Sequence, residues 1–279
     1  VWTGTAIRIP ATAPPASGRP CFYSLSPGGR NILYRGTAGH LHELSMPADS
    51  AKDGIWHHTN LTLLLKQPPA RCDPSMVVVD GVPHLVFVDQ MSRTREFWFD
   101  GQWRHHPLPV APRPAGSVAI SSTPSTLHVT YRTMFGVPCE QTLSREAVAS
   151  GRRNWSHRIF HRLPAQGQPL GFNAAGRRRV VFRAAEKWPV REPFVFRWHA
   201  RRQAGYREYE GGRNRLVQAW NNGERYHRLE TIGEPLPPVA GNPCVLYDAK
   251  SDQHHVAFRD AGGHLREATF SKGSWELSD

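Results

Sequence analysis

Apolar and polar residues alternate along many short segments of this 279-residue chain, with the period of half-buried β-strands. Glycine and proline cluster between these segments, for example in residues 107–114 and 235–243, where they favour turns. No stretch combines a helical period with capping residues at its ends. The pattern therefore predicts an all-β protein.

The predicted strands recur in a repeated unit. Each unit has a strand ending in an aromatic and a charged residue, a glycine-rich turn, a strand containing glutamate, and a basic strand that opens with an aromatic residue. That last aromatic recurs at steps of 47, 52, 71 and 49 residues, at Trp56, Trp103, Trp155, Tyr226 and Trp275. The predicted repeats are residues 21–61, 72–110, 117–163, 170–232 and 243–279, the last together with 1–10. Regular repetition of this kind is typical of closed repeat architectures.

Four strands in each repeat match one blade of a β-propeller. We therefore predict a single domain spanning residues 1–279, a five-bladed β-propeller of four-stranded antiparallel blades. Residues 1–7 resemble a last strand, so we expect the N-terminal strand to close the ring, which removes an exposed edge. Residues 275–277 are the competing candidate for that position. The fourth repeat carries an insertion, residues 184–212, which is either a lid, site wall or docking arm, or an extended hairpin with its own small core.

Charge and cysteine content narrow the function. The formal net charge is +12 and the pI is near 10.1, which favours anionic partners such as acidic polysaccharides, cell-wall polymers or an acidic protein. The cations are spread along the chain without a recognition helix, an RNA-binding motif or a zinc motif, so we do not expect nucleic acid as a partner. The four cysteines form no CxxC motif. They are either disulfide partners in a secreted protein or buried free thiols.

Two further columns of the repeat carry polar chemistry. An arginine precedes a glutamate by eight residues in three copies: Arg35 and Glu43, Arg132 and Glu140, Arg259 and Glu267. A position near the start of the second strand is occupied by Asn31, His84, His128, Arg179 and His255. The acidic column consists of Glu43, Glu96, Glu140, Gln218 and Glu267.

Residues 258–268, with an aromatic strand, a glycine turn and a Leu-Arg-Glu strand, resemble the repeat of fucose-binding β-propeller lectins. Five blades with one site per repeat also resemble the tachylectin-2 type. The resemblance runs as a degenerate pattern from residue 31 to residue 275. It implies a secreted carbohydrate-binding lectin, without catalysis or cofactor, whose weak sites between blades recognise cell-surface or cell-wall glycans.

In such lectins a basic residue, a glutamate and an aromatic from a neighbouring blade clasp the sugar. Carried onto this chain, the resemblance implies these sugar-binding residues: Glu43, Glu96, Glu140, Glu267, His84, His128, His255, Trp56, Trp103 and Trp155. Only Arg179 keeps an arginine in the basic column, and its repeat has Gln218 in place of the glutamate.

A structural interpretation of the same columns stands beside this one. The arginine and glutamate eight residues apart lie on adjacent strands and could form cross-strand salt bridges. The tryptophan column could be core between blades. Adjacent histidines, such as His57 and His58, point to opposite faces of a strand and do not chelate jointly, so we predict no metal site.

Two other functions remain as alternatives. Propellers also serve as scaffolds, and propeller lectins of this kind occur as subunits of secreted toxin particles, so the insertion could dock a protein partner. Five-bladed propellers also include glycoside hydrolases, which need carboxylates converging at the ends of the innermost strands. The innermost strands predicted here offer only Asp73, Asp80 and Asp248.

Overall fold

The fold is known from a computed structural model of the chain. It describes residues 10–25, 27, 29–49, 55–109, 112–159, 165–174, 177–184, 216–221, 226–231, 239–248, 251, 253–260, 262–271 and 274–278. Residues 1–9, the predicted closing strand, lie outside this set, as does the predicted insertion beyond Ala184.

The described residues form five antiparallel sheets of four strands, each built from consecutive strands. The first sheet contains β1 (Cys21–Tyr23), β2 (Arg30–Arg35), β3 (Leu41–Met46) and β4 (His57–Asn60). The second contains β5 (Ser75–Val79), β6 (Val82–Val88), β7 (Thr94–Phe99) and β8 (Trp103–Pro107). The third contains β9 (Ala119–Ser122), β10 (Thr126–Arg132), β11 (Pro138–Ser144) and β12 (Ser156–Ile159).

The remaining two sheets repeat this order. The fourth contains β13 (Ala165–Ala174), β14 (Arg177–Ala184), β15 (Leu216–Asn221) and β16 (Tyr226–Thr231). The fifth contains β17 (Val239–Asp248), β18 (Gln253–Asp260), β19 (Leu265–Ser271) and β20 (Ser274–Ser278). The predicted β-propeller and its five repeats of four strands are confirmed. The outer position of the fifth sheet belongs to β20, which includes the competing segment of residues 275–277.

First strands of successive sheets contact one another: β1 contacts β5, β5 contacts β9, β9 contacts β13 and β13 contacts β17. Alternate side chains of each sheet therefore face the preceding and the following sheet. Between the first and second sheets, Leu33 and Leu41 pack with Leu85, Phe87 and Phe97, all nearly inaccessible to solvent. The rings of Phe87 and Phe97 meet edge to face with centroids 4.8 Å apart, an arrangement that aromatic pairs prefer.

Every sheet has two distinct ends. At the end that we call the hairpin end, the second strand turns into the third. Asp89 organises one such turn: its Oδ1 accepts hydrogen bonds from the backbone amides of Met91 and Arg93, both at 2.9 Å. Its Oδ2 accepts another from Nε of Arg95 at 2.6 Å. Asp260 accepts equivalent bonds from His264 N at 2.8 Å and from Arg266 Nε at 3.0 Å in the fifth sheet.

Two one-turn helices follow the sheets. Helix α1 (Leu61–Leu64) extends β4 at the hairpin end and is capped by Asn60, whose Oδ1 accepts from Leu63 N at 3.1 Å. Helix α2 (Arg145–Ala149) follows β11 and is capped by the hydroxyl of Ser144. Within the described part of the chain, no helix is long and apolar enough to cross a membrane.

All four cysteines are free thiols, which favours the second of the two interpretations left open by the sequence. Cys139 is fully buried in the core between the second and third sheets, and burial raises the pKa of its thiol to about 12. Cys21 donates to the Pro74 carbonyl at 3.3 Å, and burial raises its pKa to about 11. Cys244 is exposed, so not all four free thiols are buried.

A histidine cluster lies on the face of the first sheet that points away from the second sheet. The ring of His42 is stacked between those of Tyr34 and His58, with centroid distances of 5.3 and 5.1 Å. Nδ1 of His42 lies 3.0 Å from Nε2 of His58, and His40 approaches edge-on. Burial, together with the nearby His58 and His40, lowers the pKa of His42 to about 4.

We predict that this cluster makes the fold sensitive to acid. The unfolded chain takes up a proton on His42 near pH 6.5, whereas the folded chain resists protonation until about pH 4. Stability is therefore lost as pH falls between these values, by about 1–2 kcal/mol from this residue. Urea denaturation at pH 7 and pH 4.5 should show a smaller loss for His42→Gln than for the unaltered protein.

The control is His57→Gln, which alters an exposed histidine of the neighbouring strand β4. It should retain the full acid-dependent loss. An identical pH dependence in all three proteins would contradict the assignment.

Candidate functional site

Four glutamates occupy equivalent positions in four of the sheets. Glu43, Glu96, Glu140 and Glu267 are each the third residue of the third strand. Because side chains alternate across a strand, identical positions place the four carboxylates on the same face of their sheets. For Glu43 and Glu96 this is the face that meets the following sheet.

Histidines twelve residues earlier in the sequence pair with three of these glutamates. Nδ1 of His84 lies 2.8 Å from Oε1 of Glu96, and Nδ1 of His128 lies 3.0 Å from Oε1 of Glu140. In the fifth sheet, Nδ1 of His255 hydrogen-bonds to Oε1 of Glu267. Each pair is a diagonal cross-strand pair, since the residue directly opposite the glutamate lies two positions after the histidine. The twelve-residue spacing between histidine and glutamate is visible in the sequence. It would have predicted these pairs, but the eight-residue spacing between arginine and glutamate was interpreted instead.

The predicted arginine–glutamate salt bridges are wrong. Glu43 lies opposite Leu33, diagonally across from Arg35, but it bonds to Tyr23 and Trp103 instead. Arg35 instead bonds through Nε and Nη2 to Oδ1 of Asp73 in the next repeat, both at 3.3 Å. Glu140 and Glu267 pair with His128 and His255, at the diagonal position on the other side.

Tryptophans of the next sheet complete two of these groups. Nε1 of Trp103 donates to Oε2 of Glu43 at 3.1 Å, and Nε1 of Trp155 donates to Oε2 of Glu96 at 3.2 Å. Both indoles come from the start of the outermost strand, or the residue before it, in the following sheet. Trp56 differs: it packs on Ile32, Tyr34 and Leu44 of its own sheet.

In the first sheet, a tyrosine takes the place of the histidine. Tyr23 donates its hydroxyl to Oε1 of Glu43, while Asn31, at the histidine position, donates its side-chain amide to the Tyr23 carbonyl at 3.5 Å. Burial raises the pKa of Glu43, and the two hydrogen bonds from Tyr23 and Trp103 offset this only in part. Burial and the adjacent carboxylate raise the pKa of Tyr23 as well. Tyr23 was not predictable from the repeat, because the first strands of the repeats share no common residue type at this position.

The cleft between the second and third sheets brings several polar and aromatic groups together. Nε of Arg153 lies 3.5 Å from Oε2 of Glu96, and its guanidinium carbon lies 4.1 Å from the centroid of the Trp98 ring. Nε2 of His84 is buried and has no hydrogen-bond partner among the described residues. A carboxylate, a guanidinium, an imidazole and two indoles therefore meet in one place. Neither Arg153 nor Trp98 belongs to the predicted site.

These groups differ in access to solvent. The side chains of His84 and Glu96 are fully buried, and that of Glu140 is 1% exposed. The side chain of Glu267 is 45% exposed and that of His255 is 25% exposed, so this pair is open to a ligand. The side chains of Arg179 and Gln218, from the fourth repeat, lie outside the described set.

Two of the three carboxylates considered for hydrolysis, Asp73 and Asp80, lie at opposite ends of β5. Asp73 precedes β5 and binds Arg35, whereas Asp80 follows β5, at its other end, and pairs with Arg145. The side chain of Asp248 is outside the described set. Within the described residues, no three histidine, cysteine or acidic side chains are grouped so that they could hold a metal ion.

We predict that the indole N–H of Trp155 stabilises the fold through Glu96. Trp155→Phe keeps an aromatic ring but leaves a buried carboxylate without one donor, which costs about 1–3 kcal/mol. Urea denaturation measures this loss. Trp98→Phe is the matched control, because its Nε1 lies 3.3 Å from Asp100, an exposed carboxylate that water solvates. Equal losses in the two variants would show that the inter-sheet bond contributes nothing.

Comparison with known proteins finds similar folds among solved structures. No protein-family model and no curated protein matches the sequence. Solved structures do match: a mutant of the lectin of Aleuria aurantia in complex with Fucalpha1-6GlcNAc shares 11% identity over 93% of this chain and 77% of the lectin, with a TM-score of 0.56. AofleA of Arthrobotrys oligospora shares 11% identity over 89% of this chain and 67% of its own, with a TM-score of 0.55.

A bacterial lectin, BP39L of Burkholderia pseudomallei, shares 14% identity over 90% of this chain and 65% of its own, with a TM-score of 0.56. The Aleuria lectin is described as a six-bladed propeller, whereas the described residues of this chain form five sheets. At these identities the likeness concerns the fold. The chain has the fold of the β-propeller lectins, as its repeat predicted.

Proposed function

We propose that this protein is a carbohydrate-binding lectin with several weak sites between its blades. The observation that carries the proposal is the recurring group of a glutamate, a histidine or tyrosine from the same sheet, and an indole from the next sheet. It occurs around Glu43 and Glu96, and its carboxylate–histidine part recurs at Glu140 and Glu267.

The chemistry of these groups suits a sugar. A carboxylate accepts hydrogen bonds from two hydroxyls, an imidazole or an indole N–H donates to others, and an aromatic face packs on the C–H side of a pyranose ring. One such site binds weakly, but several sites on one rigid ring gain strength from multivalency when they meet a dense glycan surface.

The structural neighbours support this proposal and a non-catalytic role, since they are lectins, among them a fucose-specific one. Here histidine replaces the arginine that the fucose lectins place beside the glutamate. Imidazole offers one donor in its neutral form, whereas guanidinium offers five. We therefore expect the sugar preference of this chain to differ from that of the fucose lectins. We place the protein outside the cell, at cell-surface or cell-wall glycans.

A glycan array followed by calorimetry tests the proposal. We expect saturable binding to a defined class of glycan, and we expect Glu267→Gln to remove one site, because the amide cannot accept hydroxyl bonds at both of its terminal atoms. Glu276→Gln, which changes an exposed carboxylate on the adjacent strand β20, should bind like the unaltered protein. Absence of saturable binding on the array would reject the lectin.

A second prediction concerns the cleft between the second and third sheets. Arg153 covers the face of Trp98 and neutralises Glu96, so it holds the space that a sugar ring would need. Gly101 occupies the equivalent position of the second repeat, since it lies two residues before Trp103 and Arg153 lies two residues before Trp155. The substitution Arg153→Gly therefore gives the third repeat the residue that the second repeat already has. We expect calorimetry of this variant to show one additional site per chain.

The neighbouring Arg152→Gly serves as the control, since Arg152 is exposed and bonds to Ser150 instead of the cleft. An unchanged number of sites in Arg153→Gly would show that Arg153 does not block the cleft.

A further inference from the structure

The hairpin end of the propeller presents large apolar side chains to solvent. Five of them are between 55% and 64% exposed: Leu63 and Leu64 of helix α1, Met91 in the β6–β7 turn, and Met134 and Phe135 in the β10–β11 turn. The turns themselves do not require these residues, because the equivalent turn of the first sheet carries Thr37 and Ala38. Exposed apolar side chains gathered on one surface indicate an interaction site.

These side chains share one end of the molecule. Second-to-third-strand turns lie at the same end of every sheet. Helix α1 begins after Asn60, which pairs with His42 at the start of β3 and therefore lies at that end. Backbone hydrogen bonds join the neighbouring loops: Gln90 N donates to Pro69 O, and Ala70 N donates to Gly39 O. The apolar residues thus project from a connected set of loops.

Cations surround the apolar tips. Lys66, Arg71, Arg93 and Arg113 are all exposed. Met134 N donates to the Arg113 carbonyl at 3.1 Å, and Nη1 of Arg71 donates to the Ser92 hydroxyl at 2.9 Å, one residue from Met91. Cations and apolar tips are therefore neighbours in space.

The acidic residues of these loops are neutralised within the described structure. Asp89 is fully buried and bound to Arg95, Asp260 is 5% exposed and bound to Arg266, and Asp73 is paired with Arg35. Among the described residues of the hairpin end, the surface offered to a partner is therefore apolar and cationic.

We propose that the hairpin end docks onto an anionic lipid bilayer. The tips of α1 and of the two turns enter the boundary between headgroups and acyl chains, while the lysine and the three arginines meet lipid phosphates. Charge complementarity selects this partner, because the cations of this end are exposed while its acidic side chains are buried or paired. The apolar residues protrude from three separate segments with exposed cations beside them, which suits a deformable surface better than one rigid protein pocket. This binding is separate from glycan recognition, because none of its residues belongs to the glutamate clefts.

Vesicle co-sedimentation tests the proposal with the full chain and with lipids that carry no glycan. We expect binding to vesicles of phosphatidylcholine with phosphatidylglycerol at least about tenfold stronger than to phosphatidylcholine alone, and weakening with added salt. Met134→Ser with Phe135→Ser should reduce binding about tenfold or more. Arg93→Glu with Arg113→Glu should abolish the preference for the anionic lipid.

The control is Ile55→Ser, which removes a 53% exposed apolar side chain before β4, at the opposite end of the first sheet, and should bind normally. Circular dichroism and glycan binding establish that each variant is folded. Lack of binding to anionic vesicles would overturn the proposal. It would also fail if the Met134 and Phe135 variant bound them normally, because charge alone would then account for the attraction, or if Ile55→Ser lost binding to the same extent.

Discussion

Burial of a carboxylate between two sheets is the constraint on which the rest of this structure depends. Removing an ionised carboxylate from water is costly unless donors replace the lost water. Glu96 meets this demand with His84 from its own sheet and with Trp155 and Arg153 from the next. Glu43 does so with Tyr23 and Trp103. The same contacts that make these carboxylates tolerable inside the propeller also fasten neighbouring blades together.

The repeat made the architecture predictable. Strand alternation and the regular spacing of Trp56, Trp103 and Trp155 are local properties of the chain, and they depend little on what each residue contacts. The acidic column was predictable for the same reason, because Glu43 and Glu96 hold the same position in successive strands. Which side chain would pair with each glutamate was harder, since pairing depends on strand register. Arg35 and the histidine position both lie diagonally across from the glutamate, and the sequence does not show that Arg35 bonds to Asp73 of the next repeat instead.

Residues contributed by another sheet were the least predictable. Arg153 precedes its strand and reaches Glu96 and Trp98 through the packing of two sheets, so no pattern within one repeat signals it. Tyr23 was equally hard to predict although it belongs to the same sheet as Glu43, because it comes from a first strand of only three residues. Trp56 illustrates the converse: it belongs to the aromatic column by sequence, yet it packs on Ile32, Tyr34 and Leu44 of its own sheet.

The indole bonds also bear on how the molecule comes apart. In many repeat proteins each unit has its own stability, and units are lost one after another from the ends. Here, detaching the third sheet would break the hydrogen bond of Trp155 and the ion pair of Arg153 with Glu96. It would also expose to water the apolar residues of the second sheet that pack against the third. Loss of one sheet thereby destabilises its neighbour, so sheets joined in this way behave as one cooperative unit.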